Sequence, residues 1–319
     1  MNTPFNYTLD NKRYHTWNYY LRNRFQSKVA KVPLDAFFTC PNRDGKLAYG
    51  GCHFCSAQGS GEFPSEFESN LQQQFDTRYK VMSAKWPNCK AMAYFQAFTN
   101  TYADIDTLKR IFKPFVDNEQ ILGLCIGTRT DCIDDMCLEY LDEISNKKEV
   151  WIEFGLQSIH DTTTDAMNCH HNYEQFLDTI YRLSKTSCKI CVHLLNGLPN
   201  ETAEMMIDSA KAISKLPIHA IKIHMLHIIK GSRLASDYIS KPWGLLSMEE
   251  YVSIVVKQLK VIPENIIIQR LTGDGMEDSL IAPIWTKKKT IVLNNIDKEM
   301  VKLNTWQGKE FNNETPNND

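Results

Sequence analysis

Residues 40–55 read CPNRDGKLAYGGCHFC and place Cys40, Cys52 and Cys55 in a loop otherwise built of glycine and polar residues. Three thiols are one short of a closed zinc site and one too many for a single disulfide. What they do depends on the compartment. The opening stretch MNTPFNYTLDNKRYHTW lacks the apolar core of a secretory signal, which points to the cytoplasm. No apolar run approaches the roughly 18 residues of a membrane span, so no membrane partner is expected. In the cytoplasm the ten cysteines stay reduced, and their spacing is to be read for metal or redox chemistry.

Outward from this loop the chain alternates. Short apolar runs occur at 33–38, 91–98, 121–127, 150–156, 190–195 and 219–226. Polar-faced segments of helical period separate them, at 65–84, 104–117, 133–146, 173–185, 201–215 and 248–259. Six strand–helix units imply a parallel sheet with right-handed crossovers, its strands covered on both faces. Six fall short of the eight that close a full barrel, so the expected α/β fold is a partial, three-quarter β/α barrel of six parallel strands with outer helices. A doubly wound open sheet has the same local pattern. With 319 residues, 43% apolar and 23% charged, the chain is ordinary for one such domain. The expected organisation is a helical extension at 1–31, the barrel at 32–260 and a C-terminal extension at 261–319 that packs on the barrel and ends in a polar tail.

Ligands of parallel β/α folds gather beyond the carboxyl ends of the strands. The first run leads into the cysteine loop; the next five lead into QAFTNTYAD, GTRTD, GLQSIHD, NGLPNE and HIIKGSR. Any one of these is adequately explained as a turn or helix cap. Six in series imply a shared polar ligand face. Three thiolates on that face suit a cubic 4Fe–4S cluster, holding three irons and leaving the fourth open to another ligand. The plainer alternative is a zinc site completed by His53, which would put a ligand inside the tight Cys52–Cys55 turn.

The spacing Cys-x11-Cys-x2-Cys, with the blocks FFTCPNRDG, GGCHFCSAQGSGEF, YFQAFTNTYA, GLCIGTRTDCI, WIEFGLQSIHD, HLLNGLPNET, KIHMLHIIKGSRLA and RLTGDG in this order, resembles the radical S-adenosylmethionine (SAM) family of the YhcC/YtqA type, related to the Elp3 catalytic core. The resemblance runs along most of the chain. It implies that Cys40, Cys52 and Cys55 ligate one 4Fe–4S cluster and that the open iron binds SAM. Reductive cleavage of SAM then gives a 5′-deoxyadenosyl radical that abstracts hydrogen from a substrate. Gln96, Asn100 and Thr101 stand where related enzymes have a Gly-Gly-Glu motif for the SAM ammonium, and that motif itself is absent. Gln157 resembles a SAM-contacting glutamine. In HLLNGLPNE, Gly197 and Glu201 match a pattern beside the adenine, with His193 replacing its first glycine. Arg129 and Asp131 are placed to face SAM or substrate. One departure stands out: where the family reads roughly Asn-Arg-Gly-His, this chain has Asn168-Cys169-His170-His171, without the arginine suited to the SAM carboxylate.

Other features carry milder readings. Cys188 and Cys191, three apart on a strand, point to opposite faces and read as buried thiols rather than ligands of a second cluster. Lys222, His224, His227, Lys230 and Arg233 follow the sixth run as a patch for phosphate or carboxylate, or as ordinary rim charges. Arg270, Thr272 and Asp274 line the cavity or close the barrel. Between Asp10 and Asp35 lie Lys12, Arg13, Arg22, Arg24, Lys28 and Lys31, interleaved with aromatics and without an acid. This segment suits nucleic acid, or, as the commoner use of such runs, an amphipathic helix burying Trp17, Leu21 and Phe25.

The Elp3 kinship implies tRNA as partner, and specifically conversion of a wobble 5-carboxymethylaminomethyluridine to 5-aminomethyluridine, with a flavodoxin or ferredoxin as electron donor. The alternatives are a radical SAM enzyme acting on a small metabolite or peptide, and a non-catalytic zinc or iron–sulfur protein that binds RNA.

Overall fold

The β-rich runs form strands and the polar-faced segments form helices, in the order the pattern implies. The computed structural model describes residues 5–8, 10–56, 59, 70–273 and 278–312. Helix α1 (Trp17–Phe25) leads into β1 (Val29–Leu34), then α2 (Leu71–Lys85), β2 (Lys90–Phe95), α3 (Ile105–Asp117), β3 (Ile121–Thr128), α4 (Asp135–Ser145) and β4 (Glu149–Gln157). Next come α5 (Asp161–Ala166), α6 (Tyr173–Leu183), β5 (Lys189–Asn196), α7 (Ala203–Ile213) and β6 (Ala220–Met225). The chain continues through β7 (Ile228–Ile229), α8 (Arg233–Ser240), α9 (Met248–Val261), β8 (Ile267–Arg270), β9 (Leu280–Ala282) and α10 (Lys289–Lys302). Asp274 and the tail beyond 312 lie outside the described residues, as do residues 65–69, where the first long helix was expected to begin.

Strands β1 to β6 and β8 make one parallel sheet in sequential order; β7 and β9 form a separate antiparallel pair. The expected count of six is corrected to seven. The seventh, β8, comes from the segment read as a C-terminal extension and pairs with β6. It has only four residues and follows Pro263 closely, so no run long enough to read as a strand precedes the turn. The first strand also starts earlier than expected, at Val29, inside the segment read as an N-terminal extension. Pro33 sits in it without loss because β1 is an edge strand, where a missing N–H donor is tolerated.

The sheet is strongly curled. Six strand spacings separate β1 from β8, about 29 Å in a flat sheet. Yet Lys31 Nζ on β1 lies 3.4 Å from Gln269 Oε1 on β8, and Lys222 Nζ on β6 lies 3.1 Å from the Tyr94 hydroxyl on β2. Only a partial barrel brings these inward side chains together; a doubly wound sheet does not. The outer face packs Phe95, Phe154 and Leu34 against Phe112, Phe115 and Phe176 of the helices.

Helix α1 closes the amino-terminal end of the barrel. Trp17 and Tyr20 meet the inward-facing Trp151 edge-on, with ring centroids 4.8 and 5.6 Å away, over Met92, Cys125, Cys191 and Ala220. The N-terminal segment is therefore the amphipathic helix of the two alternatives. Five of its six cations have partners within the protein: Lys12 on Asp297, Arg13 on Asn304 and Thr305, Arg24 on Glu149, Lys28 on Asn18 and Lys31 on Glu153; Arg22 lies exposed. No helix among the described residues is long and apolar enough to cross a membrane.

Trp151 is fully buried, and truncating such a side chain leaves a cavity that neighbours fill only in part. Trp151→Ala is expected to lower stability to urea by about 3–5 kcal/mol. Val81→Ala on the outer surface of α2, where the side chain is 69% exposed, should stay within about 0.5 kcal/mol of the parent.

Candidate active site

The cysteine loop is built by its own backbone. The Cys40 carbonyl accepts from the amides of Arg43 at 2.8 Å and Asp44 at 3.2 Å, and the Gly51 amide returns to the Asn42 carbonyl at 2.8 Å. Gly50 and Gly51 hold φ of 83° and 81°, a left-handed conformation that glycine adopts without strain. At Gly51 a Cβ would also come within 2.8 Å of Arg43 Nε. The Cys55 amide then donates to the Cys52 carbonyl at 2.9 Å, folding Cys52–Cys55 into one turn.

A second segment, 167–171, locks this loop at the barrel mouth. The His53 amide donates to the Met167 carbonyl at 2.9 Å, and Asn168 Nδ2 donates to the Gly51 carbonyl at 2.9 Å. Asn42, fully buried, donates from Nδ2 to the Asn168 carbonyl and stands 3.5 Å from Cys52 Sγ. Arg129, just past β3, donates to the Cys169 carbonyl at 2.8 Å, to the His170 carbonyl at 3.1 Å, and through Nε and Nη2 to both oxygens of Asp131 at 2.9 and 2.8 Å. Four of the five guanidinium donors are thus committed, two to Asp131 and two to the segment where the resemblance expects an arginine.

The electrostatics favour a thiolate. Cys52 is held well below the ordinary thiol range by hydrogen bonds from Cys169 and Cys55, helped by the Arg129 charge and Asn42, against the effect of burial. Donating to Cys52 pushes Cys55 and Cys169 up. Arg129 in turn feels the charges of both Cys40 and Cys52. A thiolate with an N–H donor and a nearby cation, beside two further cysteines on one loop, fits the ligand set of an iron–sulfur cluster. Among the described residues no three His, Cys, Asp or Glu side chains gather closely enough to chelate a single metal ion. His53 spends its backbone on Met167 and Leu234, and the zinc set completed by its ring has no geometric support.

The other sequence-derived candidates divide. Gln96 and Gln157 lie half-buried at the carboxyl ends of β2 and β4. Gln157 has φ of 70° and folds its amide over Gly155, where a Cβ would lie 2.8 Å from Nε2. Asn100 is fully buried, donates to the Ala97 and Gly127 carbonyls at 3.0 and 2.9 Å, and leaves Oδ1 without a partner among the described residues. The Thr101 hydroxyl is already engaged by Thr128 at 2.5 Å and the Cys132 carbonyl at 2.6 Å. Glu201 accepts from the Ser158 hydroxyl, joining the ends of β4 and β5, and burial raises its pKa. Gly197, at φ of 93°, lines a narrow crevice with Leu226, Leu246 and Trp285. Cys188 and Cys191 pack on opposite faces of β5.

Sequence reading missed Asn42, the placement of Cys169 beside Cys52, and a buried charged layer inside the barrel. Glu153, Lys222 and Lys31 meet there, so Lys222, read as a possible rim charge, is an interior residue only 5% exposed. The available signal was a charge at an inward position of otherwise apolar strands, as in WIEFGL and AIKIHML.

Arg129→Gln leaves Asp131 without its partner and is expected to cost about 3 kcal/mol of stability. The double variant Arg129→Gln, Asp131→Asn should recover part of that loss; simple addition of the two single losses in urea unfolding would show that the pair is not coupled.

The sequence pattern of the radical SAM superfamily matches residues 40–213, and that of the radical SAM C-terminal domain matches 218–302. YtqA of Bacillus subtilis is 42% identical over 97% of this chain and 96% of its own length. A tRNA uridine(34) acetyltransferase of Methanocaldococcus infernus is 22% identical over 48% of this chain and 29% of its own. The structure of Elp3 from Methanocaldococcus infernus superposes with a TM-score of 0.65 at 16% identity, covering 88% of this chain; this chain spans 64% of that one, and the likeness speaks for the fold. The chain belongs to the radical SAM superfamily, as an enzyme of the YhcC/YtqA type on an Elp3-related core, in a family that uses a 4Fe–4S cluster and SAM.

Proposed function

We propose that Cys40, Cys52 and Cys55 ligate the cluster and that the enzyme acts on tRNA, converting the 5-carboxymethylaminomethyl group of a wobble uridine to 5-aminomethyl. The observation that carries the cluster assignment is the loop itself: Cys40, Cys52 and Cys55 at the mouth of a curled, open barrel, with Asn42 Nδ2 3.5 Å from Cys52 Sγ and Arg129 holding the facing segment at Cys169. When bound, the cluster and SAM supply the electron and the 5′-deoxyadenosyl group needed for hydrogen abstraction. The residues of this chain position them. Asn42 steadies Cys52, and Arg129 holds segment 168–171 against the loop. Gln96, Asn100 and Gln157 face SAM, with Thr101 bracing the loop that carries Asn100. Gly197 and Glu201 flank the adenine.

Support for tRNA comes from the Elp3-related core and from the tRNA uridine(34) acetyltransferase among the relatives. The N-terminal segment lends little, since five of its six cations have partners within the protein. The chemistry is consistent with the substrate. Removing hydrogen from the methylene of the carboxymethyl arm leaves a carbon radical stabilised by the adjoining nitrogen and carboxylate. Passing one further electron from that radical back to the electron carrier gives an imine, and water hydrolyses its carbon–nitrogen bond, releasing glyoxylate and leaving the aminomethyl group.

Anaerobic reconstitution with iron and sulfide, then SAM and dithionite, should give 5′-deoxyadenosine, and Cys40→Ser should abolish it; equal product from both proteins would refute the ligand assignment. Deleting the gene should raise 5-carboxymethylaminomethyluridine in tRNA hydrolysates at the expense of 5-aminomethyluridine. An unchanged nucleoside profile would remove tRNA from the account and leave the radical chemistry standing.

A further inference from the structure

The interior of the barrel, between the aromatic plug and the cysteine loop, carries a charge imbalance. Glu153 on β4 has no exposure, yet two ammonium groups reach its carboxylate: Lys31 from β1 at 2.5 Å, and Lys222 from β6. Burying a charge is costly unless it is paired, and here one carboxylate serves two cations. The neighbouring imidazoles add no negative charge. His193 Nε2 stands 3.3 Å from Glu153 Oε2, and its ring centroid lies 5.4 Å from that of His224. Burial, with Lys222 next, lowers His193 to about 4, so it is neutral at physiological pH. His224 is lowered further by burial and by the cationic side chains around it, Arg270 among them. The layer therefore keeps an excess positive charge among the described residues.

Two hydrogen-bonding groups in this layer also lack partners. Gln269 Oε1 accepts from Lys31, whereas its Nε2 is buried with no partner among the described residues. The same holds for His224 Nε2. Gln269 and His224 lie on the adjacent strands β8 and β6, and His224 is one inward step nearer the mouth than Lys222. Both side chains retain partial exposure, as expected of groups lining an accessible interior. Buried polar atoms without hydrogen-bond partners are rare in folded proteins and point to a missing partner.

We propose that Gln269 and His224, backed by the Lys31–Glu153–Lys222 layer, form a receptor for a carboxylate group of the substrate. The Gln269 amide N–H, His224 Nε2 in its protonated tautomer and the surrounding excess of cations match a planar carboxylate with two oxygens better than a tetrahedral phosphate with three. In the tRNA reading, the carboxylate is that of the carboxymethylaminomethyl arm. This identity rests on that reading, whereas the receptor rests on the layer itself. Holding the carboxylate inside the barrel would turn the neighbouring methylene towards the mouth, where SAM is expected. A substrate lacking the carboxylate would leave the same donors unmet, which makes these residues specificity determinants.

The test is thermal unfolding of the cluster-loaded, full-length protein under anaerobic conditions at fixed ionic strength. N-acetylglycinate, acetate or inorganic phosphate, each as its sodium salt, replaces chloride in separate runs. The two carboxylates are expected to raise the melting temperature by about 2 °C or more, through binding to the folded state alone, with phosphate no better than chloride. Gln269→Leu and His224→Leu should each remove at least half of the gain. A gain absent from the parent, one that persists in both variants, or one larger for phosphate would overturn the proposal. The nucleoside profile reports separately on the tRNA reading. A carboxylate gain with unchanged wobble uridine keeps the receptor and discards that substrate, whereas altered wobble uridine without a gain discards the receptor.

Discussion

A carboxylate on the fourth strand sits without solvent exposure between ammonium groups that arrive from the first and sixth. That arrangement exists only if the sheet curls far enough for its two halves to face each other. Ion pairing in a low-dielectric interior is unforgiving: an unmatched Glu153 or Lys222 would cost more than a surface ion pair returns. The same ions that resist burial therefore specify the curvature, provided that each finds its partner. Tyr94 supports the layer from the second strand, its hydroxyl beside Lys222 and its ring 4.0 Å from the Lys31 ammonium.

Curvature in turn divides the barrel into three levels. At the amino-terminal end, Trp151 and the first helix make an apolar plug that excludes water. Charged and imidazole side chains fill the middle. At the carboxyl end, loops that would be far apart over a flat sheet converge, so that Arg129 from the third strand and Asn168 from the fourth crossover reach the cysteines that follow the first. Apolar below, polar in the middle and thiolate above is a sensible order for radical chemistry. A reactive carbon-centred species needs protection from solvent, and its substrate needs orientation.

Much of this was legible in the sequence. The strand–helix alternation, the incomplete barrel and the special character of Cys40, Cys52 and Cys55 follow from local pattern and spacing. What escaped depends on distant partners. Lys31 and Gln269 are 238 residues apart, and Lys31 and Glu153 are 122 apart, so no window of sequence shows that their charges meet. The strand Ile267–Arg270 is too short to announce itself, and the first strand, expected over 33–38, runs Val29–Leu34 instead. Cys169 looked like the loss of an arginine. In the fold it is a buried thiol beside Cys52, its Sγ 3.9 Å from the Met167 carbonyl, while Arg129 supplies the cation from another strand. The aromatic, basic N-terminus illustrates the converse: its composition suits nucleic acid, but the barrel engages its rings and most of its charges.

The central claim is an iron with a free coordination position, presented by three thiolates at the open end of the barrel. Mössbauer spectroscopy of the protein reconstituted with isotopically enriched iron, recorded before and after adding SAM, addresses it directly. The account predicts that one iron of the four changes its isomer shift on binding SAM while the other three do not. Four irons that remain alike, or a protein that takes up zinc in their place, would contradict it.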